Sequence, residues 1–308
     1  GHERRAGWKE ANMNESQGCL QCPRRCGADR SRGVGYCGAS ALPQIARADL
    51  HMWEEPCLSG SRGAGAVFFC GCNLTCLFCQ NHTISHGAVG PSMDAAALAD
   101  LMLRLQDKGA HNIDLVTPTP HLHVIRPALE QAKAHGLRIP VVYNTNGYEL
   151  VDALRTLEGL VDIYLPDLKY VSQAAARRYS GAADYFDFAR PAVLEMQRQC
   201  GVLQLDGEGV ATRGLLIRHL VLPGSVDEAR GVLDFVAAEL PLDTQLSLMS
   251  QYVPCHLATM PPINRRLTRR EYQRAVDYCL SLGLTRVYVQ ELDSADTAYT
   301  PPFQGEIL

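Results

Sequence analysis

The chain has 308 residues, of which 46% are hydrophobic and 20% charged, ample for a large folded core. Its 29 Lys and Arg against 33 Asp and Glu give a net charge of −4, so no domain-wide basic excess points to nucleic acid. No apolar run reaches the length of a membrane span, and the polar start lacks the apolar core of a secretory signal.

Residues 1–65 read as an N-terminal extension without a repeating pattern. Within it, Cys19, Cys22, Cys26 and Cys37 follow the spacing C-x2-C-x3-C-x10-C. The chain has twelve cysteines. With no secretory pattern they point to a reducing, cytoplasmic setting, where clustered thiols bind metal more often than they form disulfides. Four thiols meet the ligand count of a closed metal shell. The segment "GADRSRGVG" between them has too few apolar residues to build its own core. Spacing does not separate zinc from a second iron–sulfur cluster; the Cys-Pro-x-x-Cys knuckle favours zinc. Free thiols or a disulfide pair are the competing readings.

From residue 66 to 308 short apolar runs alternate with helical patterns. Strands are expected at 66–71, 112–117, 139–145, 161–169, 214–222 and 244–252, with a seventh at 285–290. Helices are expected between them. Ser92 is read as an N-cap, followed by Leu98, Leu101, Met102 and Leu105 on one face, with Gly109 as the stop. Ser225 with Glu228, and Thr268 with Glu271, have capping-box spacing, and Gly283 ends the last helix. The stretch 202–214 contains Asp206-Gly207 and reads as an inserted hairpin. Repeated strand–helix units imply an α/β fold with parallel strands, either an open sheet or a barrel, and periodicity does not separate the two. In both, functional residues gather where strands end.

The loop after the first of these strands reads "GCNLTCLFCQN", with Cys72, Cys76 and Cys79 in the spacing C-x3-C-x2-C. A structural zinc site wants four ligands. Three thiolates suit a 4Fe–4S cluster with one iron left open to a small molecule. A zinc knuckle is the competing reading.

This triad, with Phe78 before its last cysteine, resembles the radical S-adenosylmethionine superfamily. Asn81, "NTNG" at 144–147, "DLK" at 167–169, "IRHLVLPG" at 217–224, "EEPC.SG" at 54–60 and "IYLPDLKY" are similar to motifs of the pyruvate formate-lyase activase-like group. The likeness covers most of residues 64–290. It implies a partial (β/α)6 barrel with a cluster at its open top, and S-adenosylmethionine bound through the open iron. It also implies an electron donor such as flavodoxin or ferredoxin. On this resemblance Cys72, Cys76, Cys79 and Arg218 are the catalytic residues. Lys169 meets the carboxylate of S-adenosylmethionine, and Asp167 holds its ribose or a monovalent cation. Phe78, Asn81, Thr117, Thr119, Thr145, Asn146, Arg218, Gln251 and Tyr252 line the cofactor. Without the resemblance, Asp167 and Lys169 read as a local ion pair at a strand end.

One feature departs from the activases. Their second strand ends in a Gly-Gly-Glu-like turn, whereas here Thr117-Pro118-Thr119-Pro120-His121 stands in its place and the carboxylate is absent. The expected activity is reductive cleavage of S-adenosylmethionine and hydrogen abstraction from a protein or peptide, a glycyl radical enzyme among the options. An unidentified small-molecule substrate, or a non-catalytic zinc-stabilised binding protein, are the alternatives.

Overall fold

The computed structural model describes residues 18–290, 301 and 303–308. In chain order the elements are β1 (Ile45–His51), α1 (Pro56–Ser59), β2 (Ala64–Phe69), α2 (His82–Ser85), α3 (Ala95–Asp107), β3 (Ile113–Val116), α4 (Leu122–Ala134), β4 (Val141–Thr145) and α5 (Val151–Arg155). There follow β5 (Ile163–Pro166), α6 (Gln173–Ser180), α7 (Tyr185–Cys200), β6 (Gln204–Leu205), β7 (Ala211–Leu220), α8 (Val226–Glu239), β8 (Gln245–Met249), α9 (Arg269–Ser281), β9 (Val287–Val289) and β10 (Glu306–Ile307).

The sheet runs β10-β1-β2-β3-β4-β5-β7-β8-β9. From β2 to β9 every neighbouring pair is parallel, and β1 lies antiparallel on β2. This order answers the question that periodicity left open. A doubly wound sheet reverses its strand order at a switch point. Here the order only advances, so successive crossovers in one sense curl the sheet into a barrel. Among the described residues β9 and β10 do not pair, and the barrel stays partial. Strands β2, β3, β4, β5 and β8 are buried along their whole length, which explains their near-continuous apolar runs.

The extension joins this sheet. Strand β1 continues into 52–60, where α1 plugs the barrel from inside. Cys57 and Leu58 pack with Val142, Ile163, Leu165, Ala211 and Leu216, and Asn112 Nδ2 donates to the Leu58 carbonyl at 2.8 Å. The outward strand faces form the main core with α3, α4, α7, α8 and α9. No described helix is long and apolar enough to cross a membrane.

Two caps differ from expectation. Asp94, not Ser92, caps α3, because its carboxylate reaches the Ala97 N–H at 2.9 Å. Ser225 precedes α8 without a side-chain bond, and Glu228 instead accepts from Val171 and Ser172 across the loop after β5. The Thr268–Glu271 capping box is present, as is the hairpin, in which β6 pairs antiparallel with β7. Gly109 and Gly283 take positive φ after their helices. The strands are shorter than the apolar runs by one to several residues at most ends, because the polar residues closing each run turn into loops.

Candidate active site

The triad loop is held on every side by backbone and side-chain bonds. Gly71 has φ +95, and a Cβ there would stand 3.1 Å from both the Cys37 carbonyl oxygen and the Ala39 Cβ, so the chain can leave β2 this way only as glycine. Cys72 N–H then donates to the Cys37 carbonyl at 3.0 Å. Asn73 is fully buried, gives its amide to the Tyr148 carbonyl at 2.8 Å, and accepts from Asn146 Nδ2 at 2.8 Å. Arg24 of the extension donates to the Asn73 carbonyl at 2.8 Å. Thr75 and Leu77 donate their N–H groups to the Ser180 and Tyr179 carbonyls at the end of α6.

Each triad sulfur has a polar neighbour. Asn146 Nδ2 lies 3.4 Å from Cys72 Sγ, Ser180 Oγ 3.0 Å from Cys76 Sγ, and Ser85 Oγ 3.1 Å from Cys79 Sγ. Burial pushes the Cys72 thiol up to about 12 and the Cys79 thiol up to about 11, reinforced by the neighbouring triad sulfurs. Such thiols stay protonated unless a cation takes the proton's place. Among the described residues no group of three or more His, Cys, Asp or Glu side chains is placed to hold a metal ion. Three thiols, of which Cys76 raises the pKa of the other two and each of which stands beside a hydroxyl or amide, nevertheless fit the donor chemistry of an iron–sulfur cluster.

These residues border a cavity of about 660 Å³. Its lining includes Cys76, Phe78, Cys79, Asn81, Asp167, Lys169, Arg218, Gln251 and Tyr252. Phe78 meets Tyr252 edge to face, ring centroids 5.8 Å apart. Cys72, Thr117, Thr119, Thr145 and Asn146 lie behind that lining: Thr119 is fully buried, and Asn146 acts on the loop itself.

On the same lining, Lys169 Nζ donates to Asp167 Oδ2 at 2.7 Å, and Arg218 Nε to Asp167 Oδ1 at 3.0 Å. The local ion pair that Asp167 and Lys169 suggest on their own is thus present, and it is part of a larger array. Arg218 also donates to Glu54 Oε2 at 3.2 Å and to Asn144 Oδ1 at 2.6 Å. Burial opposes both charges, but Lys169 and Arg218 outweigh it and lower the Asp167 pKa, and Asp167 likewise raises that of Lys169. Tyr185 supports this wall: its hydroxyl lies 2.8 Å from the Asn146 and Asp167 carbonyls and accepts the Lys169 N–H at 3.1 Å.

Sequence reasoning missed Glu149. It is fully buried, and its Oε1 accepts from the hydroxyls of Thr119, Thr145 and Tyr143. Its Oε2 has no partner among the described residues. The turn after β3 has no acidic residue, yet Glu149 brings a carboxylate to that turn from the loop after β4. Burial, opposed by the three hydroxyls, pushes this carboxyl up to about 7. No spacing in the sequence links Glu149 to Thr119.

The four extension cysteines are electrostatic neighbours, Cys22 of Cys19 and Cys37, and Cys37 of Cys19 and Cys26, on a segment that meets the triad loop at Cys37. None of the twelve cysteines is disulfide-bonded. A side chain at Gly35 would meet the sulfurs of Cys37 and Cys26 at 3.4 and 3.5 Å. Burial pushes the Cys22 thiol up to about 12 and raises that of Cys37, and each is raised further by Cys19. Arg30 clasps this knuckle to the Ser40 carbonyl and to the turn after β3 through the Pro120 carbonyl.

The chain is 31% identical over 290 residues to the uncharacterized protein MJ0674 of Methanocaldococcus jannaschii, covering 91% of this chain and 79% of that protein. A crystal structure of Streptococcus suis SuiB bound to precursor peptide SuiA is similar with a TM-score of 0.45 and 15% identity, over 68% of this chain and 44% of that one. Residues 66–197 match the radical SAM superfamily. The chain therefore carries a radical SAM superfamily domain over residues 66–197, and that domain implies an enzyme that uses S-adenosylmethionine and a 4Fe–4S cluster.

Proposed function

We propose that this protein reductively cleaves S-adenosylmethionine at a cluster held by Cys72, Cys76 and Cys79, and abstracts hydrogen from a protein or peptide substrate. The observation that carries this reading is one cavity lined both by Cys76 and Cys79 of the triad and by the Lys169–Asp167–Arg218 array. Bound there, the cofactors supply an electron and an organic radical able to take a hydrogen atom. The chain's own contribution is positional. Asn146 donates to Cys72 Sγ, the Ser180 and Ser85 hydroxyls stand beside Cys76 and Cys79, and Lys169 offers an ammonium to a carboxylate. Asp167 orients that ammonium and accepts from a hydroxyl or coordinates a monovalent cation. Phe78, Gln251 and Tyr252 shield one side from water. The activase-like motifs at 144–147, 167–169 and 217–224 supply the loops around this cavity, which supports a polypeptide substrate of the activase kind.

The four extension cysteines serve as a separate metal site, zinc in preference to iron–sulfur, that fixes the segment meeting the triad loop through the Cys72–Cys37 bond. A flavodoxin or ferredoxin is the fitting electron source. The test is substrate capture. The reduced, cluster-loaded protein is incubated with S-adenosylmethionine and a fully deuterated protein extract. The expected result is deuterium in 5′-deoxyadenosine. Unlabelled 5′-deoxyadenosine from every deuterated fraction would overturn the reading.

A further inference from the structure

One part of the cavity lining, its floor, is built from residues that, Glu54 apart, have been given no role. Segment 51–60 lines it with His51, Met52, Trp53, Glu54, Glu55, Ser59 and Gly60. Glu55 occupies the N-cap position of α1 yet makes no capping bond with its side chain. That carboxyl is directed to the cavity instead, and the residue is only 7% exposed.

The polar inventory of this floor is one-sided. Its cations are already engaged. Arg218 uses all three of its nitrogens on Asp167, Glu54 and Asn144, and Lys169 is held by Asp167. His51 is held toward its neutral form by burial. Asn144 Nδ2 is shared between Glu54 and Asp114. Acceptors remain. Behind the lining, Asp114 is fully buried against Glu54 and Asn144; burial and Glu54 hold its carboxyl well above the usual carboxylate range, and its Oδ1 has no donor among the described residues. Ser247 is 1% exposed and is register-paired with Arg218, so it shares the inward face. Its hydroxyl stands beside Glu55 without reaching hydrogen-bond geometry. Buried acceptors in such surplus are costly until a donor arrives. Trp53, 64% exposed, belongs to the same lining.

We propose that this floor is a subsite for a substrate's ammonium or guanidinium group, with Glu55 as the main acceptor, Ser247 beside it, Asp114 behind the lining and Trp53 on it. The inference rests on the reading above that this cavity admits the substrate, and it adds the substrate's chemical class. A donor-rich cation is the group that satisfies several buried acceptors at once and offsets the excess of carboxylates over cations. The group is presented either by a free small molecule or by a basic peptide side chain.

The test uses the anaerobically reconstituted protein loaded with S-adenosylmethionine. Calorimetric titrations compare agmatine with its neutral counterpart butylurea, and acetyl-Gly-Arg-Gly-amide with its citrulline counterpart. The expected result is that at least one cationic probe binds at least about tenfold tighter than its neutral partner. Preference for agmatine assigns a free small molecule, and preference for the peptide assigns a side chain. Glu55→Gln is expected to erase most of that difference. Equal binding of charged and neutral probes, or no binding of either cation, overturns the subsite. So does a Glu55→Gln protein that keeps the full difference. The wild-type comparison stands alone if the variant does not fold. Formation of 5′-deoxyadenosine in the same preparation separates the two levels. If it forms and no cation binds, the subsite alone fails; if it does not form, the functional reading fails.

Discussion

Replacing Glu149 by Gln tests the buried clasp between the turns after β3 and β4. The carboxyl of Glu149 sits at about 7 in the folded protein, against an ordinary value of 4.5, because burial outweighs the three hydroxyls that donate to it. The sign follows from which state holds the proton. Below the unfolded-state pKa both states are protonated and nothing is lost. Between that value and 7 the unfolded chain releases a proton that the native protein keeps, so stability falls as pH rises. The full shift amounts to about 3 kcal/mol, lost by the time pH exceeds the folded pKa. Glutamine keeps an acceptor for Thr119, Thr145 and Tyr143 but does not titrate. The stability of the wild type minus that of Glu149→Gln should therefore fall by about 2 to 3 kcal/mol between pH 5 and pH 8. Anaerobic urea denaturation at intervals across that range gives the difference. A flat or rising difference would refute the placement of this carboxylate in a closed, hydroxyl-lined pocket.

Three further outcomes are expected. Lys169→Ala should weaken S-adenosylmethionine binding by about 2 kcal/mol or more, measured by calorimetry; an unchanged affinity removes Lys169 and its partner Asp167 from the cofactor site. Serine at any of Cys19, Cys22, Cys26 or Cys37 should release one metal by elemental analysis while S-adenosylmethionine still binds, and retention of that metal in all four variants would refute the shared site. Thr268→Ala removes the capping box of α9 and should cost about 1 kcal/mol in denaturation, whereas no change would mean that the cap is idle.

What the sequence shows of this protein is what acts locally. Strands β3, β4, β5 and β8 are buried on both faces, so their apolar runs are visible without a partner. The triad is readable because its three thiols lie within one loop. Asp167 and Lys169 are two residues apart, and their ion pair needs no fold to be guessed. Contacts made by chain folding are not readable in this way. Arg218 meets Glu54 across 164 residues, and Thr119 meets Glu149 across 30. Neither distance has a period, so the acidic floor and the buried clasp emerge only once the barrel is built. Strand order is likewise a long-range property, which is why periodicity left barrel and open sheet equal. At Ser225 the capping pattern misleads, because Glu228 finds two unsatisfied N–H groups on a neighbouring loop and bonds those instead.

The central claim is that Cys72, Cys76 and Cys79 together hold the cluster at which S-adenosylmethionine is cleaved. The direct measurement compares wild type with the triple Cys→Ala variant after anaerobic reconstitution, following iron content and the release of 5′-deoxyadenosine on reduction. The account predicts that the variant loses about four irons and all 5′-deoxyadenosine formation, while any metal on the four extension cysteines stays. A triple variant with the iron content, cluster spectrum and 5′-deoxyadenosine yield of the wild type would contradict it.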